Sequence, residues 1–442
     1  MTVSIALFTQ DLRLHDNPVL HAAVTGAEQV VPLFVLDREL AATGFAVPNR
    51  MAFLVDCLVD LDAGLRRLGG RLVVRQGRPA EEVAQLVAAT GAQSVHLAAG
   101  VSAFAARRER ELRQLLGGRL RVHRASLTAL APGEVTPAGK DHYAVFTPYL
   151  RAWEQAARRP QHPVPRAVRV PAAVPGVPLP AVRPDSPRLP RGGESEARRR
   201  WRAWSVDRYQ ELSDDLTADG TSRLSPYLHF GCLSAGELFR HTVRHGGPGA
   251  DAFVRQLAWR DFHHQLLAAR PAAAWRNYRD RGDRWPYRAG EVEAWRQGRT
   301  GYPIVDAGLR QLAAEGWLPG RARLITASFL AKTLYQDWHL GARHFLDLLV
   351  DGDLANNQLN WQWVAGTGTD TRPNRVLNPL LQADRHDPEG SYVRRWVPEL
   401  AGVPGRAVHR PWLLGGCPDY PAPVIDPGEL ATRLRLARDL RR

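Results

Sequence analysis

The sequence has few cysteines and no long apolar run. Its three cysteines, Cys57, Cys232 and Cys417, stand alone without a CxxC pair. They therefore predict neither a disulfide framework nor a thiolate cluster, and no metal site is expected. Apolar runs such as residues 30–36 are much shorter than the about 20 residues that span a membrane, and the N-terminus lacks the basic region of a signal peptide. These absences predict a protein of the reducing cytoplasm with no membrane segment.

Lysine is also scarce, although the chain is strongly basic. Of 59 basic residues only Lys140 and Lys332 are lysines, and the formal net charge is +14. A positive charge of this size favours a polyanionic partner, because contacts to phosphates dominate nucleic-acid affinity. A general preference for arginine over the whole chain explains the same figure. Charge alone therefore leaves nucleic-acid binding undecided.

The first third of the 442 residues alternates strand and helix patterns. Short apolar runs rich in β-branched residues are separated by helical periodicity near residues 50–68, 79–91 and 103–116. This alternation is typical of a doubly wound parallel sheet. No glycine-rich phosphate motif follows the first strand, so dinucleotide or P-loop binding has no support there.

A proline-rich segment follows. Residues 156–195 include ten prolines between positions 160 and 191, a density that excludes helix interiors and sheet ladders and predicts an extended connector. Beyond it helical periodicity dominates, and of thirteen tryptophans only Trp153 precedes residue 200. We therefore predict three parts: an α/β domain over 1–130, a connector over 131–197 and an all-α domain over 198–442.

The segment "GTSRLSPYLHFG" clusters hydroxyl groups just before a predicted helix. Thr221, Ser222 and Ser225, together with backbone N–H groups at the helix start, suit a phosphate. Ser225 is also a good candidate for the helix cap. A plain capped turn is the alternative interpretation of the same spacing.

The segment "RQLAWRDFHHQL" predicts a helix with Gln256, Trp259 and Arg260 close in helical phase. An amide, an indole and a guanidinium on one face suit a base edge, a base face and a phosphate. A half-buried packing helix with a surface arginine explains the segment equally well. The adjacent His263 and His264 have no partner one turn later, and we interpret them as surface or packing residues.

The segment "RARLITASFLAKTLYQDW" predicts one amphipathic helix over residues 321–338. It begins with Arg321 and Arg323, at the helix end where the macrodipole disfavours cations. We therefore expect these two arginines to reach an acidic or phosphate partner.

The segment "DGDLANNQLNWQW" places Asp353, Asn357 and Trp361 on one face if it is helical. That face offers acceptors, an amide that both donates and accepts, and an oxidisable indole. Such a set suits a heteroaromatic ligand better than a metal, which prefers more carboxylates or histidines. The alternative is a polar network that joins helices.

These segments, in this order, resemble blocks of the photolyase/cryptochrome family. "TGYPIVDAGLRQL" and "GRARLITASFLAKTLYQDWH" resemble two family signatures, with departures at Leu309 and Gly320. "LFTQDLRLHDNPVL", "GTSRLS", "WRDF", "DGDLANNQLNWQW" and "GTGTD" resemble further blocks, so the likeness covers nearly the whole chain. It implies an α/β N-terminal domain with a doubly wound parallel sheet and an all-α C-terminal FAD-binding domain.

The resemblance implies a set of FAD contacts. Arg323 and Asp351 match an ion pair beside the isoalloxazine ring. Asp353 matches a residue that hydrogen-bonds the ring, and Asn357 matches the residue that faces flavin N5, where an amide favours fully reduced FAD as the working form. The other matched positions are Tyr209, Thr221, Ser222, Arg223, Leu224 and Ser225.

The resemblance also implies an electron relay and a DNA surface. The relay, from flavin to surface, is matched by Trp361, Trp338 and Trp285. Trp259 and Trp363 match an aromatic pair that stacks on a pyrimidine dimer flipped out of the duplex. The remaining DNA contacts match Gln256, Arg260, Arg321 and Arg375.

The implied function is light-driven repair of cyclobutane pyrimidine dimers in UV-damaged DNA, by a monomer of the class I type. Departures at lesion contacts, namely Gln256, Pro319, Gly320 and Leu324, keep a second interpretation open: a cryptochrome-like blue-light sensor with little or no repair. Repair of (6-4) lesions is disfavoured, because residues 318–324 contain no histidine.

A second, light-harvesting chromophore is expected in the N-terminal domain. The segment "VSAFAARRERE" lacks the Asn-Glu pair that is associated with folate antennae in the family. We therefore prefer a deazaflavin to a folate.

Overall fold

A five-stranded parallel sheet forms the centre of the N-terminal part of the computed structural model, which describes residues 1–415, 417–430 and 432–433. The strands are β1 (Val3–Phe8), β2 (Gln29–Asp37), β3 (Val73–Gly77), β4 (Ser94–Ala98) and β5 (Leu120–His123). They pair in the order β3-β2-β1-β4-β5, all parallel. The strand order reverses at β1, which confirms the predicted doubly wound sheet.

Helices separate the strands, as the alternation predicts. They are α1 (Pro18–Gly26), α2 (Arg38–Ala42), α3 (Pro48–Arg67), α4 (Pro79–Thr90) and α5 (Ala103–Leu116), followed by α6 (Phe146–Gln155). The helices α3, α4 and α5 are the three that periodicity indicates. Helix α4 begins with a proline and ends at Gly91, whose φ of +67° is a conformation that glycine adopts without steric cost.

The proline-rich connector is extended but firmly packed. Within residues 156–193, all of which the structure describes, there is no helix or strand. Val177 N donates to Val74 O over 2.8 Å on the edge strand β3, and Val168 N donates to Leu68 O over 2.8 Å. The connector therefore covers an edge of the sheet that would otherwise expose unpaired backbone groups.

The described residues beyond 193 contain helices and turns but no strand, which confirms the predicted all-α part. The helices are α7 (Glu194–Ala203), α8 (Tyr209–Leu212), α9 (Ser225–His229), α10 (Ala235–His245), α11 (Pro248–Ala269), α12 (Ala289–Arg296), α13 (Pro303–Glu315), α14 (Gly320–Ser328), α15 (Trp338–Leu348), α16 (Leu354–Ala365), α17 (Pro379–His386) and α18 (Ser391–Trp396). None of the helices that the structure describes is both long and apolar enough to cross a membrane.

The prediction of one helix over residues 321–338 was wrong. Helix α14 ends at Ser328, a π-helical turn follows over Phe329–Thr333, and Tyr335 has a φ of +55°. A new helix, α15, then begins, and the Asp337 side chain caps it. Tertiary contacts override the local pattern here, because buried Lys332 in the π turn donates to Ala365 O and to Pro373 O, each over 2.7 Å.

The two parts of the chain share one apolar core. A single cluster of buried side chains includes Phe8 of β1, Tyr227 of α9 and Phe262 of α11. A buried carboxylate reinforces the junction, because Asp16 accepts hydrogen bonds from Arg159 over 2.5 Å and from Arg240 over 2.9 Å. This packing fixes α9 and α11 relative to the sheet, and these helices bear candidate site residues.

Candidate functional site

A largely buried ion pair joins α14 to the turn before α16. Arg323 Nη2 donates to Asp351 Oδ2 over 2.7 Å, and the Asp351 side chain is 3% exposed. Arg323 Nε donates to Leu318 O over 2.7 Å, which fixes the plane of the guanidinium. The predicted pairing of these two residues is confirmed. The second carboxylate oxygen of Asp351 is buried and has no hydrogen-bond partner among the described residues, so it is available to a ligand.

Asp353 caps α16 and lies among histidines. Its Oδ1 accepts from the backbone N–H of Asn356 over 2.8 Å. Its Oδ2 lies 3.3 Å from His264 Nε2 and 3.9 Å from His229 Nδ1. Burial would raise the pKa of Asp353, but His264, His229 and Arg260 hold it well below its usual value. Asp353 is therefore an anionic acceptor, and His264 is part of an electrostatic site as well as a packing residue.

Asn357 presents its amide oxygen to the site. Its Nδ2 donates to Ala342 O over 3.0 Å and to Gln358 Oε1 over 2.9 Å. A backbone carbonyl only accepts, so the contact with Ala342 fixes which end of the amide carries the nitrogen. The oxygen is the atom left to meet a donor N–H of a ligand. The helical bounds of α16 also confirm that Asp353, Asn357 and Trp361 follow one another at one-turn intervals.

The loop before α9 offers one hydroxyl to a ligand. Thr221 Oγ1 is buried and has no hydrogen-bond partner in the described part of the chain. Its neighbour Arg223 has a left-handed φ of +51°, and its guanidinium binds Asp219 over 2.8 Å and Glu315 over 3.0 Å. Two carboxylates thus already occupy Arg223. This arrangement disfavours the predicted contact of Arg223 with the cofactor and supports that of Thr221.

The prediction that Ser225 caps α9 was wrong. The cap position is Leu224, and Ser225 is the first residue of the helix, where its Oγ accepts from Trp317 Nε1 over 3.0 Å. Ser222 Oγ accepts from the Leu224 N–H at 3.4 Å. Tyr209 lies nearby in α8, where burial raises its pKa to about 12. The cofactor roles that the resemblance implies for these residues stay predictions.

Trp361 lies in an aromatic box on the inner side of α16. It is 2% exposed, and its ring contacts Phe345 at 5.0 Å and Trp295 at 6.0 Å between centroids, both edge to face. Its indole Nε1 is buried without a hydrogen-bond partner among the described residues. Among the described residues, no group therefore accepts a hydrogen bond from this N–H.

Gly341 makes room for Trp361, and Gly341→Ala is expected to disturb it. A Cβ at position 341 would lie 2.1 Å from the Trp361 ring, far inside contact distance. We expect the substitution to lower the free energy of unfolding by about 1–3 kcal/mol, the usual cost of overpacking a core. Chemical denaturation measures this loss. As a control, Gly290→Ala should not lower the free energy of unfolding, because no atom lies within 4 Å of a Cβ added at that position.

The other two predicted relay tryptophans belong to the same apolar cluster as Trp361. Trp338 is fully buried and donates through Nε1 to Asn277 Oδ1 over 2.9 Å. Trp285 is only partly buried at the edge of the cluster. Trp361 and Trp338 are thus both buried, and Trp285 is the most exposed of the three, as expected for the outer end of the relay. The relay itself stays a prediction.

Two further tryptophans of interest lie on α11 and α16, two helices that pack against each other. Trp259 stacks on Phe146 at 3.6 Å between ring centroids, with 6° between the planes. Trp363 is half-buried, and the Arg375 guanidinium lies 5.6 Å from its ring centroid. Exposed Gln256 lies one turn before Trp259 on α11. Phe146 covers one face of Trp259, so only the other face and the ring edge are available for stacking.

Two arginines predicted to contact DNA have protein partners. Arg260 donates to Leu127 O over 2.8 Å, and its side chain is 12% exposed. This geometry disfavours a phosphate contact for Arg260, because its guanidinium already donates to Leu127 O and to Leu228 O, but the contact stays a prediction. Arg321 binds the carboxylate of Asp214, which agrees with the prediction of an acidic or phosphate partner. A phosphate contact there would have to compete with this pair.

Sequence reasoning missed several residues of the site. Phe146 lies more than a hundred positions before the tryptophan it stacks on, and Trp295 follows no pattern shared with Trp361. For His229 and His264 the sequence gives no signal beyond their position in the segments "GTSRLSPYLHFG" and "RQLAWRDFHHQL". Contacts of this kind arise from the packing of α9, α11, α12 and α16.

Comparisons with known proteins agree on one family. Residues 4–170 match the model described as DNA photolyase, and residues 253–437 match the FAD binding domain of DNA photolyase. The deoxyribodipyrimidine photo-lyase of Streptomyces griseus is 58% identical over the full length of both chains.

Two solved structures have the same fold. A bacterial class III photolyase from Agrobacterium tumefaciens superposes with a TM-score of 0.91 at 31% identity, covering 99% of this chain and 97% of that one. The Synechocystis sp. PCC6803 cryptochrome gives a TM-score of 0.90 at 28% identity, covering 99% and 98%. The fold alone therefore does not distinguish repair from light sensing.

Proposed function

The chain belongs to the DNA photolyase family, and on that premise we propose that it repairs cyclobutane pyrimidine dimers in UV-damaged DNA under blue light. The observation that carries the proposal is that Trp259 on α11 and Trp363 on α16, two helices that pack against each other, are both half-buried and so keep part of each ring accessible. A light sensor has no need of an aromatic clamp for a base. The similarity to a deoxyribodipyrimidine photo-lyase over the full length supports the same function. We further propose that the protein acts as a monomer in the cytoplasm.

The residues present fit FAD. Thr221 Oγ1 and Asp351 Oδ1 are buried polar atoms that no described protein group satisfies, and they suit a polar ligand. Asn357 offers an amide oxygen and Asp353 a carboxylate, and both could accept hydrogen bonds from ring N–H groups. A reduced flavin has such N–H groups. The proposed contacts for its phosphates are Thr221, Ser222 and Ser225.

When bound and reduced, FAD would supply the light-excited electron that splits the dimer ring. The protein itself binds and orients the partners. Trp259 and Trp363 would stack on the flipped-out dimer. Flipping costs less free energy for a damaged base than for an intact one, because a damaged base is less well paired and stacked in the duplex. Arg375, exposed above Trp363, would pair with a neighbouring phosphate. Trp361, Trp338 and Trp285 would return electrons to the site from the surface.

The second chromophore is proposed at the carboxyl ends of β1, β2 and β4, where ligands bind in doubly wound sheets. Asp11 follows β1, Asp37 ends β2, and Arg108 on α5 faces both. Arg108 Nε is buried without a hydrogen-bond partner among the described residues, so it can donate to a ring carbonyl. We prefer a deazaflavin to a folate here. An absorbance spectrum of the native protein, with a band beyond those of FAD, identifies it.

The clamp is tested by Trp363→Ala. We expect affinity for DNA that contains a thymine dimer to fall by about 10- to 100-fold, because one base–aromatic stack contributes about 1–3 kcal/mol. Affinity for undamaged DNA should stay the same, and fluorescence anisotropy with both oligonucleotides measures the difference. Trp275→Ala is the control, because Trp275 is 53% exposed outside the clamp. An equal loss for both oligonucleotides, or for both variants, would exclude the clamp.

A further inference from the structure

His339 stacks on Trp338, the middle tryptophan of the proposed relay. The two ring centroids lie 3.8 Å apart with 28° between the planes. Trp338 is fully buried, whereas the His339 side chain is 38% exposed. The imidazole thus covers one face of the indole and is itself open to solvent.

The hydrogen bonds of His339 require a proton on each ring nitrogen. Nδ1 lies 2.7 Å from Asp337 Oδ1, and Nε2 lies 3.2 Å from Trp275 O. A carboxylate and a backbone carbonyl only accept, so both nitrogens must donate. His339 in this arrangement is an imidazolium cation. The pKa of His339 is raised, in agreement with this geometry. Burial alone would lower the pKa, but the contacts with Asp337 and with the Trp275 carbonyl outweigh the effect of burial.

The charged neighbours of His339 are few. From its own helix it is faced by Asp337, and from the segment after α11 by the uncharged carbonyl of Trp275. The Asp337 carboxylate bonds to the edge of the imidazole, whereas Trp338 lies against its face. Of these two charged groups, the cation is therefore the one that is stacked on the indole.

We propose that the His339 imidazolium is an electrostatic gate of the tryptophan relay: it disfavours positive charge on Trp338 and directs that charge outward to Trp285. This inference rests on the proposed relay. In that relay the oxidant would be an oxidised, light-excited flavin, and Trp361 would give it one electron. Trp338 then gives one electron to Trp361, and Trp285 gives one to Trp338.

No proton leaves Trp338 in this sequence. Its N–H is bound to the amide oxygen of Asn277, which is not a base near neutral pH. The charge on Trp338 therefore stays a full positive charge against the imidazolium. A neutral ring attracts a stacked cation, but an oxidised ring is repelled by it. His339 is thus a positioning residue that acts on the location of the positive charge in the relay. Its repulsion of the charge on Trp338 must disappear when the imidazolium loses its proton.

The test uses Trp285→Phe, which stops the charge at Trp338. After a laser flash, we expect the lifetime of the indole radical cation to increase about tenfold, or about 1.4 kcal/mol, as the pH rises through the pKa of His339. Adding His339→Phe keeps an aromatic ring without charge and should give the long lifetime at every pH. Adding His339→Arg keeps a cation and should give the short lifetime at every pH.

The outcomes separate the gate from the relay. If the parent and the His339→Phe variant share one pH profile, the gate is wrong although the relay operates. If no indole radical cation forms in any of these proteins, the proposed relay fails and the gate fails with it. NMR titration of His339 in the dark adds a measurement without photochemistry: its pKa should lie above the ordinary value of a histidine and fall in Asp337→Asn. A lower pKa in the unsubstituted protein would overturn the gate.

Discussion

Trp361→Phe is expected to slow the photoreduction of bound oxidised FAD by about a hundredfold or more, at least about 2.7 kcal/mol in activation free energy. Trp361 is the proposed relay member one turn after Asn357 on α16, and a phenyl ring is far harder to oxidise than an indole. The surrounding box of Phe345 and Trp295 should accept phenylalanine without loss of fold. The flavin absorbance under blue light, with an external reductant, measures the rate.

Trp295→Phe is the matched control. Trp295 is fully buried, contacts the Trp361 ring and donates through Nε1 to Thr326 O over 3.0 Å, but it is not part of the proposed relay. Its replacement should leave most of the photoreduction rate. Full photoreduction in Trp361→Phe would contradict the relay, and an equal loss in both variants would assign the effect to packing of the aromatic box.

Asp351→Asn is expected to cost about 2–3 kcal/mol of folding free energy and most of the affinity for FAD. Removing one partner of a buried ion pair costs about 3–5 kcal/mol, and the partial exposure of Arg323 reduces that figure. The asparagine would also replace the charged oxygen that we propose for the cofactor. Denaturant titration of the apoprotein and FAD titration by fluorescence measure the two effects separately.

Asp347→Asn is the control for this ion pair. Asp347 pairs with Arg343 over 2.8 Å one turn apart, with side chains 42% and 56% exposed. Such exposed pairs contribute about 0.5 kcal/mol or less. If Asp351→Asn lowered the free energy of unfolding no more than Asp347→Asn does, the Arg323–Asp351 pair would contribute no more than an exposed surface pair, and the prediction would be contradicted.

The sequence predicts the sheet and the polar face of α16 well, because both depend on local periodicity. The alternation of apolar runs and helices fixes a doubly wound sheet, and the one-turn spacing of Asp353, Asn357 and Trp361 needs only the assumption of a helix. The Arg323–Asp351 pair followed from the family resemblance. All of these inferences use residues close in sequence or a known family pattern.

The rest depends on partners that lie far apart in the sequence. The expected phosphate contact of Arg260 is disfavoured because carbonyls more than thirty and more than a hundred positions away accept hydrogen bonds from its guanidinium. The helix predicted through Tyr335 ends early because Lys332 binds carbonyls of a distant loop. His339 donates to a carbonyl sixty-four positions away, in addition to its neighbour Asp337. Periodicity contains no information on such contacts.

Light-driven repair itself tests the central claim most directly. The protein is photoreduced, mixed with an oligonucleotide that contains one thymine dimer, and illuminated with blue light, while chromatography follows the dimer. We expect the dimer to disappear in the light and to persist in the dark, with intact thymines as the product. An undiminished dimer after illumination, with the flavin fully reduced, would contradict repair and would favour a light sensor.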